Sequence, residues 1–148
     1  MRRGVLFLAA GCLLATDRPA SPVQFRGHII EAKIPNGYAL LVADLNRDRR
    51  PDVIGLTSRI SELAWYENPG WERHVLVQGM TGLVNLAAHD IDGDGIPELA
   101  VENEFSMVAA KSQGLVWLLQ HQGDPRRPWK ASRVDALTNV TFHAKLGT

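Results

Sequence analysis

The sequence predicts an all-β chain of β-propeller blades, about two and a third four-stranded blades in an incomplete ring. Three observations predict it. An acidic loop occurs twice at a fixed spacing. Short aliphatic and β-branched runs of strand type flank each copy. Aromatic residues, mostly tryptophan, recur at matching places between the copies. A unit of about 40–50 residues holding four short strands is the mark of a propeller blade, and such a repeat is read before anything else. A β-sandwich is the alternative all-β architecture, but its strands need not recur in blocks of four.

The clearer loop is Asp90-Ile-Asp92-Gly93-Asp94-Gly95-Ile96-Pro97-Glu98. Carboxylates at alternate positions line one side of a tight turn, and a hard cation such as Ca²⁺ takes about six to eight oxygens. Asp90, Asp92 and Asp94 supply side-chain oxygens, Ile96 its backbone carbonyl, and Glu98 the far side. Gly95 allows the positive φ that such a turn requires. The other loop lies forty-six positions earlier (90 less 44) and reads Asp44-Leu-Asn46-Arg-Asp48-Arg-Arg50-Pro51-Asp52. Its candidate ligands are Asp44, Asn46, Asp48, Arg50 in the place of Ile96, and Asp52. Arg47 and Arg49 replace the glycines, and with Arg50 they offset the three acids, which weakens this copy as a cation site. An EF-hand requires a bidentate Glu at position 12 and helices on both sides. Position 12 is Gly55 in one copy and Val101 in the other, and the flanks are strand-like. Each loop also admits a simpler reading as an Asx-type turn that binds nothing.

The strands follow in order. Phe25 to Ile30 reads as an outer strand without partners upstream. Tyr38 to Ala43 is an inner strand, Pro51 to Thr57 an aliphatic one, and Leu63 to Asn68 carries Trp65. Trp71 opens the outer strand of that unit, with His74 in the place of His28. Leu83 to Ala88 begins the next unit, which continues through Leu99, the Trp117 strand at Leu115 to Gln120, and an outer strand opened by Trp129. Val140 to Ala144 is a further inner strand, and Thr148 stands where a third loop would begin. The blade units are 38–78 and 83–135, within a partial propeller at 23–148. The longer spacing of Trp71 and Trp129 places extra residues near Asn103 to Lys111 and near Gln122 to Arg127, as loops tolerate.

These residues resemble the FG-GAP/VCBS class of calcium-binding propeller repeats. The matching segments are Ala43 to Ile54 with Ala64 to Asn68, and Asp90 to Ala100 with Gly114 to Trp117. The resemblance covers about residues 23–147. It implies structural Ca²⁺ in the loops and a role in binding or scaffolding, with a protein or carbohydrate partner. Asn36 to Trp117 also resembles the propeller part of sugar lyases of the aldos-2-ulose dehydratase type, which implies the alternative of a carbohydrate lyase with a channel site. Glu102, Glu104 and His143 are the catalytic candidates there, against a plain reading as solvated groups at strand ends. A truncated, non-functional fragment is the third reading. A ring needs about four to eight blades, so the others would come from a longer chain or from other subunits, and the open faces would be prone to aggregate.

Composition narrows the classes. Sixteen basic and sixteen acidic residues give zero net charge, against a nucleic-acid surface. The 45% hydrophobic content is that of a folded chain. Residues 1–20 read as a targeting segment, with Arg2-Arg3 before a short apolar run from Val5 to Ala15. Leu8 to Gly11 before Cys12 resembles a bacterial lipoprotein box, with Ala9 where Leu is usual; an ordinary signal peptide is the other reading. Either predicts export to the periplasm, the exterior or the cell envelope, with membrane attachment only through a lipid on Cys12. No histidine pair has a metal-binding or catalytic spacing, and Ser58 and Ser61 have no placed His–Asp pair, so nucleophilic catalysis is not predicted.

Overall fold

Residues 22–111 and 113–136 are described by the computed structural model. Among them, two antiparallel four-stranded sheets form from strands paired in chain order. The first sheet holds β1 (Ala39–Ala43), β2 (Asp52–Leu56), β3 (Glu62–Glu67) and β4 (Glu72–Gln78). The second holds β5 (Asn85–His89), β6 (Glu98–Asn103), β7 (Leu115–Gln120) and β8 (Lys130–Ala136), with one 3₁₀ turn at Ala109–Lys111 between β6 and β7. The chain is all-β, built as propeller-like blades, and the ring is not closed. The extra residues of the second blade fall in the β6–β7 and β7–β8 connections, as expected.

Register identifies equivalent positions. Ala43 faces Asp52 across β1–β2, and His89 faces Glu98 across β5–β6. Ile54 faces Trp65, and its counterpart Ala100 faces Leu118. Trp65 faces His74, and Leu118 faces Ser132. The outer tryptophans Trp71 and Trp129 are therefore equivalent, but Trp65 and Trp117 are not. Trp117 occupies the place of Ala64. Because strand side chains alternate between faces, a one-residue step turns an indole to the opposite side of its blade.

That step explains how the blades pack. One face of the first sheet carries Leu41, Ile54, Leu56, Leu63, Trp65 and Leu76. It meets the opposite type of face on the second sheet, with Leu86, Leu99, Val101 and Leu119, in a single buried cluster. Trp117 packs against that cluster from the second blade and donates its indole N–H to Asn103 Oδ1 at 3.0 Å. Each fully buried side chain of this kind contributes about 1.5–3 kcal/mol of transfer free energy. Both blades also carry the same outer-strand bulge, at Leu76 in one and Val134 in the other. The Leu76 carbonyl accepts the backbone N–H of Trp129 at 2.8 Å, so the first blade's bulge holds the second blade's outer aromatic. Trp129 is only 4% exposed, and its indole N–H donates to Pro125 O at 2.9 Å.

Two expectations are corrected. Phe25 to Ile30 forms no strand, and Phe25 is 92% exposed. A strand needs a ladder partner, and none among the described residues reaches this segment. For the same reason His28 is exposed, whereas His74 is buried against Trp65 with ring centroids 4.7 Å apart. The chain from Glu31 to Gly37 instead lies across the first sheet. Thr57 Oγ1 donates to Pro35 O at 2.7 Å, and Ile34 fills the space above Gly55, where a Cβ would come within 2.9 Å of it. The inner strand at Val140 to Ala144 and the targeting segment at 1–20 lie outside the described residues.

Candidate metal centre

The turn joining β5 to β6 carries the stronger candidate. Asp90, Asp92 and Glu98 each offer an oxygen, and these oxygens lie within 4.8 Å of one another. The backbone creates this convergence. Gly93 and Gly95 have φ of 79° and 89°, and their N–H groups turn inward to Asp90. Gly93 N donates to Oδ1 at 2.8 Å and Gly95 N to Oδ2 at 3.0 Å. Asp92 Oδ1 accepts from Asp94 N at 3.1 Å. Glu98 starts β6, is buried, and takes the Ile91 N–H on Oε2 at 2.8 Å. Asp90 and Asp92 are exposed, so the cluster has a buried floor and a wet rim. An all-oxygen set with three negative charges fits a hard divalent cation.

Asp94, expected as a ligand, points elsewhere. Its Oδ1 accepts from Ile96 N at 2.8 Å and its Oδ2 contacts His121 Nε2 at 2.8 Å. The Ile96 N–H, then the His121 contact and the Arg47 charge, hold its carboxyl below the usual range. His121 in turn stands edge-on to Trp129, with centroids 5.9 Å apart. Asp94 therefore ties the loop to its own blade. Arg47 of the first loop reaches over Gly95, where its Nε would stand 3.0 Å from a Cβ built there.

The turn joining β1 to β2 has the same hydrogen-bond frame. Arg49 N donates to Asp44 Oδ2 at 2.7 Å, Asp48 N to Asn46 Oδ1 at 3.1 Å, and Arg50 N to Asp48 Oδ1 at 2.8 Å. Arg47 and Arg49 hold φ of 63° and 65°, the conformation their glycine counterparts adopt freely. Among the described residues its three acids, Asp44, Asp48 and Asp52, do not form a cluster like that of Asp90, Asp92 and Glu98. Asp52, the counterpart of Glu98, is fully buried and accepts Leu45 N on Oδ2 and Asn68 N on Oδ1, both at 2.9 Å. Burial raises its carboxyl above the usual range, partly offset by those two N–H groups. Asn46 turns its amide to Glu67 Oε1 at 2.9 Å.

Glu67 was not expected at a site, yet it links the blades. It receives Asn46, contacts His74 Nε2 at 2.9 Å and accepts Arg126 Nε at 2.8 Å, with a second Arg126 bond through Nη2. The Arg126 guanidinium foremost, with His74 and Asn46, holds its carboxyl below the ordinary range. Its partners are scattered along the chain, so no spacing rule marks it.

The proposed acid–base set is not assembled among the described residues. Glu102 lies opposite Asn85 on the second sheet, and Glu104 accepts Thr81 Oγ1 at 2.9 Å beyond the strand end. His143 and Cys12 lie outside the described residues.

No curated protein and no solved structure matches the chain. The family model of the FG-GAP-like repeat matches residues 44–101, from Asp44 of the first loop to Val101 in β6.

Proposed function

We propose that the chain is an exported, calcium-stabilised propeller repeat module that acts in binding or scaffolding, with a protein or carbohydrate partner. The observation that carries this reading is the convergence of Asp90, Asp92 and Glu98 on one turn between two strands. The cation is structural. It would neutralise three carboxylates at the start of β6 and pin that turn, so its binding free energy adds to that of folding. The first loop does the same mechanical work without metal, because backbone N–H groups already occupy both Asp52 oxygens.

The FG-GAP-like match supports the module reading. Glu104, one of the acids of the alternative lyase reading, accepts the Thr81 hydroxyl. The test is a calcium titration by calorimetry, paired with thermal unfolding in calcium and in chelator. One site per chain and a melting point raised by calcium are the expected results. An unchanged melting point with no heat of binding overturns the reading and leaves the loop a plain turn.

A further inference from the structure

One side chain of the first loop crosses to the second. Arg47 stands fourth from Asp44, as Gly93 stands fourth from Asp90. Its side chain leaves its own loop and lies over Gly95, where its Nε, Cδ and Cζ would stand 3.0, 3.5 and 3.5 Å from a Cβ built there. Gly95 thus serves twice: it takes a φ of 89° and leaves the space that the arginine fills. The Gly95 N–H donates to Asp90 Oδ2 at 3.0 Å, and Asp90 is one of the three clustered acids. The charge of Arg47 also acts on the neighbouring Asp94. Arg47 is exposed, and among the described residues its guanidinium makes no hydrogen bond or ion pair. It is therefore tied to no single carboxylate, and its field falls on the acidic turn as a whole.

Resting on the cation reading of Asp90, Asp92 and Glu98, we propose that Arg47 sets the calcium affinity of the second loop, as a positive charge that one blade places against the cation site of the next. In the empty loop three carboxylates crowd within 4.8 Å, and the nearby guanidinium relieves part of their repulsion. An entering divalent ion meets that same positive charge, and like charges repel. Arg47 thus favours the empty state and disfavours the filled one, and both effects lower affinity. The coupling is reciprocal: the ion weakens the hold of Arg47 on the turn by the factor that Arg47 takes from the ion. The exchange of glycine for arginine at this position then has two consequences. It adds positive charge to its own loop, and it tunes the loop of its neighbour.

The test is calcium titration by calorimetry of the full chain, for the native sequence, Arg47→Gln and Arg47→Lys, in about 0.01 M and about 1 M salt. Glutamine removes the charge without the backbone relief that glycine would bring at φ 63°, and lysine keeps the charge. Melting points in chelator check that each variant folds. At low salt Arg47→Gln is expected to bind calcium about fivefold more tightly than the native chain, the scale of one exposed charge acting on a divalent ion through solvent. Arg47→Lys is expected to bind like the native chain, and high salt to erase the difference, because it screens exposed charges. A native chain that binds calcium no more weakly than Arg47→Gln at low salt overturns the proposal and leaves the calcium reading standing. So does a gain that Arg47→Lys shares or that persists in high salt, since charge is then not its cause. No binding by the native chain or by Arg47→Gln overturns the calcium reading and this proposal together.

Discussion

The two acidic loops share a backbone and differ in what closes it. In the first, the closing acid is Asp52, short enough that both its oxygens are reached by the N–H groups of Leu45 and Asn68. In the second it is Glu98, one methylene longer, which takes one N–H and stands beside Asp90 and Asp92. One loop is held by protein donors and the other gathers three acids within 4.8 Å of one another. A repeat thus keeps its frame while the partners of its closing acid change.

The sharpest way to break this comparison is Asp52→Ala. One buried and one part-buried N–H group would lose their acceptor, at a cost of about 2–4 kcal/mol. Urea unfolding should give the same loss in calcium and in chelator. A loss seen only in calcium would make the first loop a metal site after all.

Glu98→Gln comes next. It keeps an acceptor for Ile91 but removes a charge from the cluster. Calcium affinity by calorimetry should fall at least about tenfold, near 1.4 kcal/mol, while the melting point in chelator barely changes. Equal affinity would remove Glu98 from the ligand set. Asp94→Ala separates ligand from tether: it should lower the melting point in calcium and in chelator alike, because Ile96 and His121 lose their partner in both.

Arg49→Gly sharpens the contrast from the backbone side. Relief at φ 65° should stabilise the fold by about 0.5–1 kcal/mol, less the entropy that glycine adds to the unfolded chain. Chemical denaturation of the variant, with Gly95→Arg as the reciprocal change, measures it. A destabilised Arg49→Gly would mean that the arginine side chain, not its backbone, holds the turn.

The smallest effect is in pH. The fold favours ionised Glu67, so its contribution is complete above its ordinary value of 4.5 and is lost as pH falls through its lowered folded value. Asp52 acts in the opposite sense, since burial favours its protonated form and its contribution grows as pH falls. Glu67→Gln should flatten the decline of melting temperature below pH 4.5, by less than about 1 kcal/mol because Arg126 is partly exposed. An unchanged profile would show that Glu67 carries no pH-linked stability between the blades.

The sequence by itself determined the repeat, the four-strand blade, the two loops and the sites of insertion. All of these follow from local chemistry: alternation, turn residues and spacing are written along the chain. It did not determine which indole faces which way, because Trp65 and Trp117 differ by one register step that insertions in the second blade conceal. Nor did it reveal that Asp94 turns to His121, or that Glu67 joins Asn46, His74 and Arg126. Those partners are set by the distance between blades in space. It also wrote Phe25 to Ile30 as a strand, which local pattern favours, but a strand persists only where a neighbour completes its ladder. Tertiary structure decided that point, since hydrogen bonds between strands belong to the sheet and not to any segment alone.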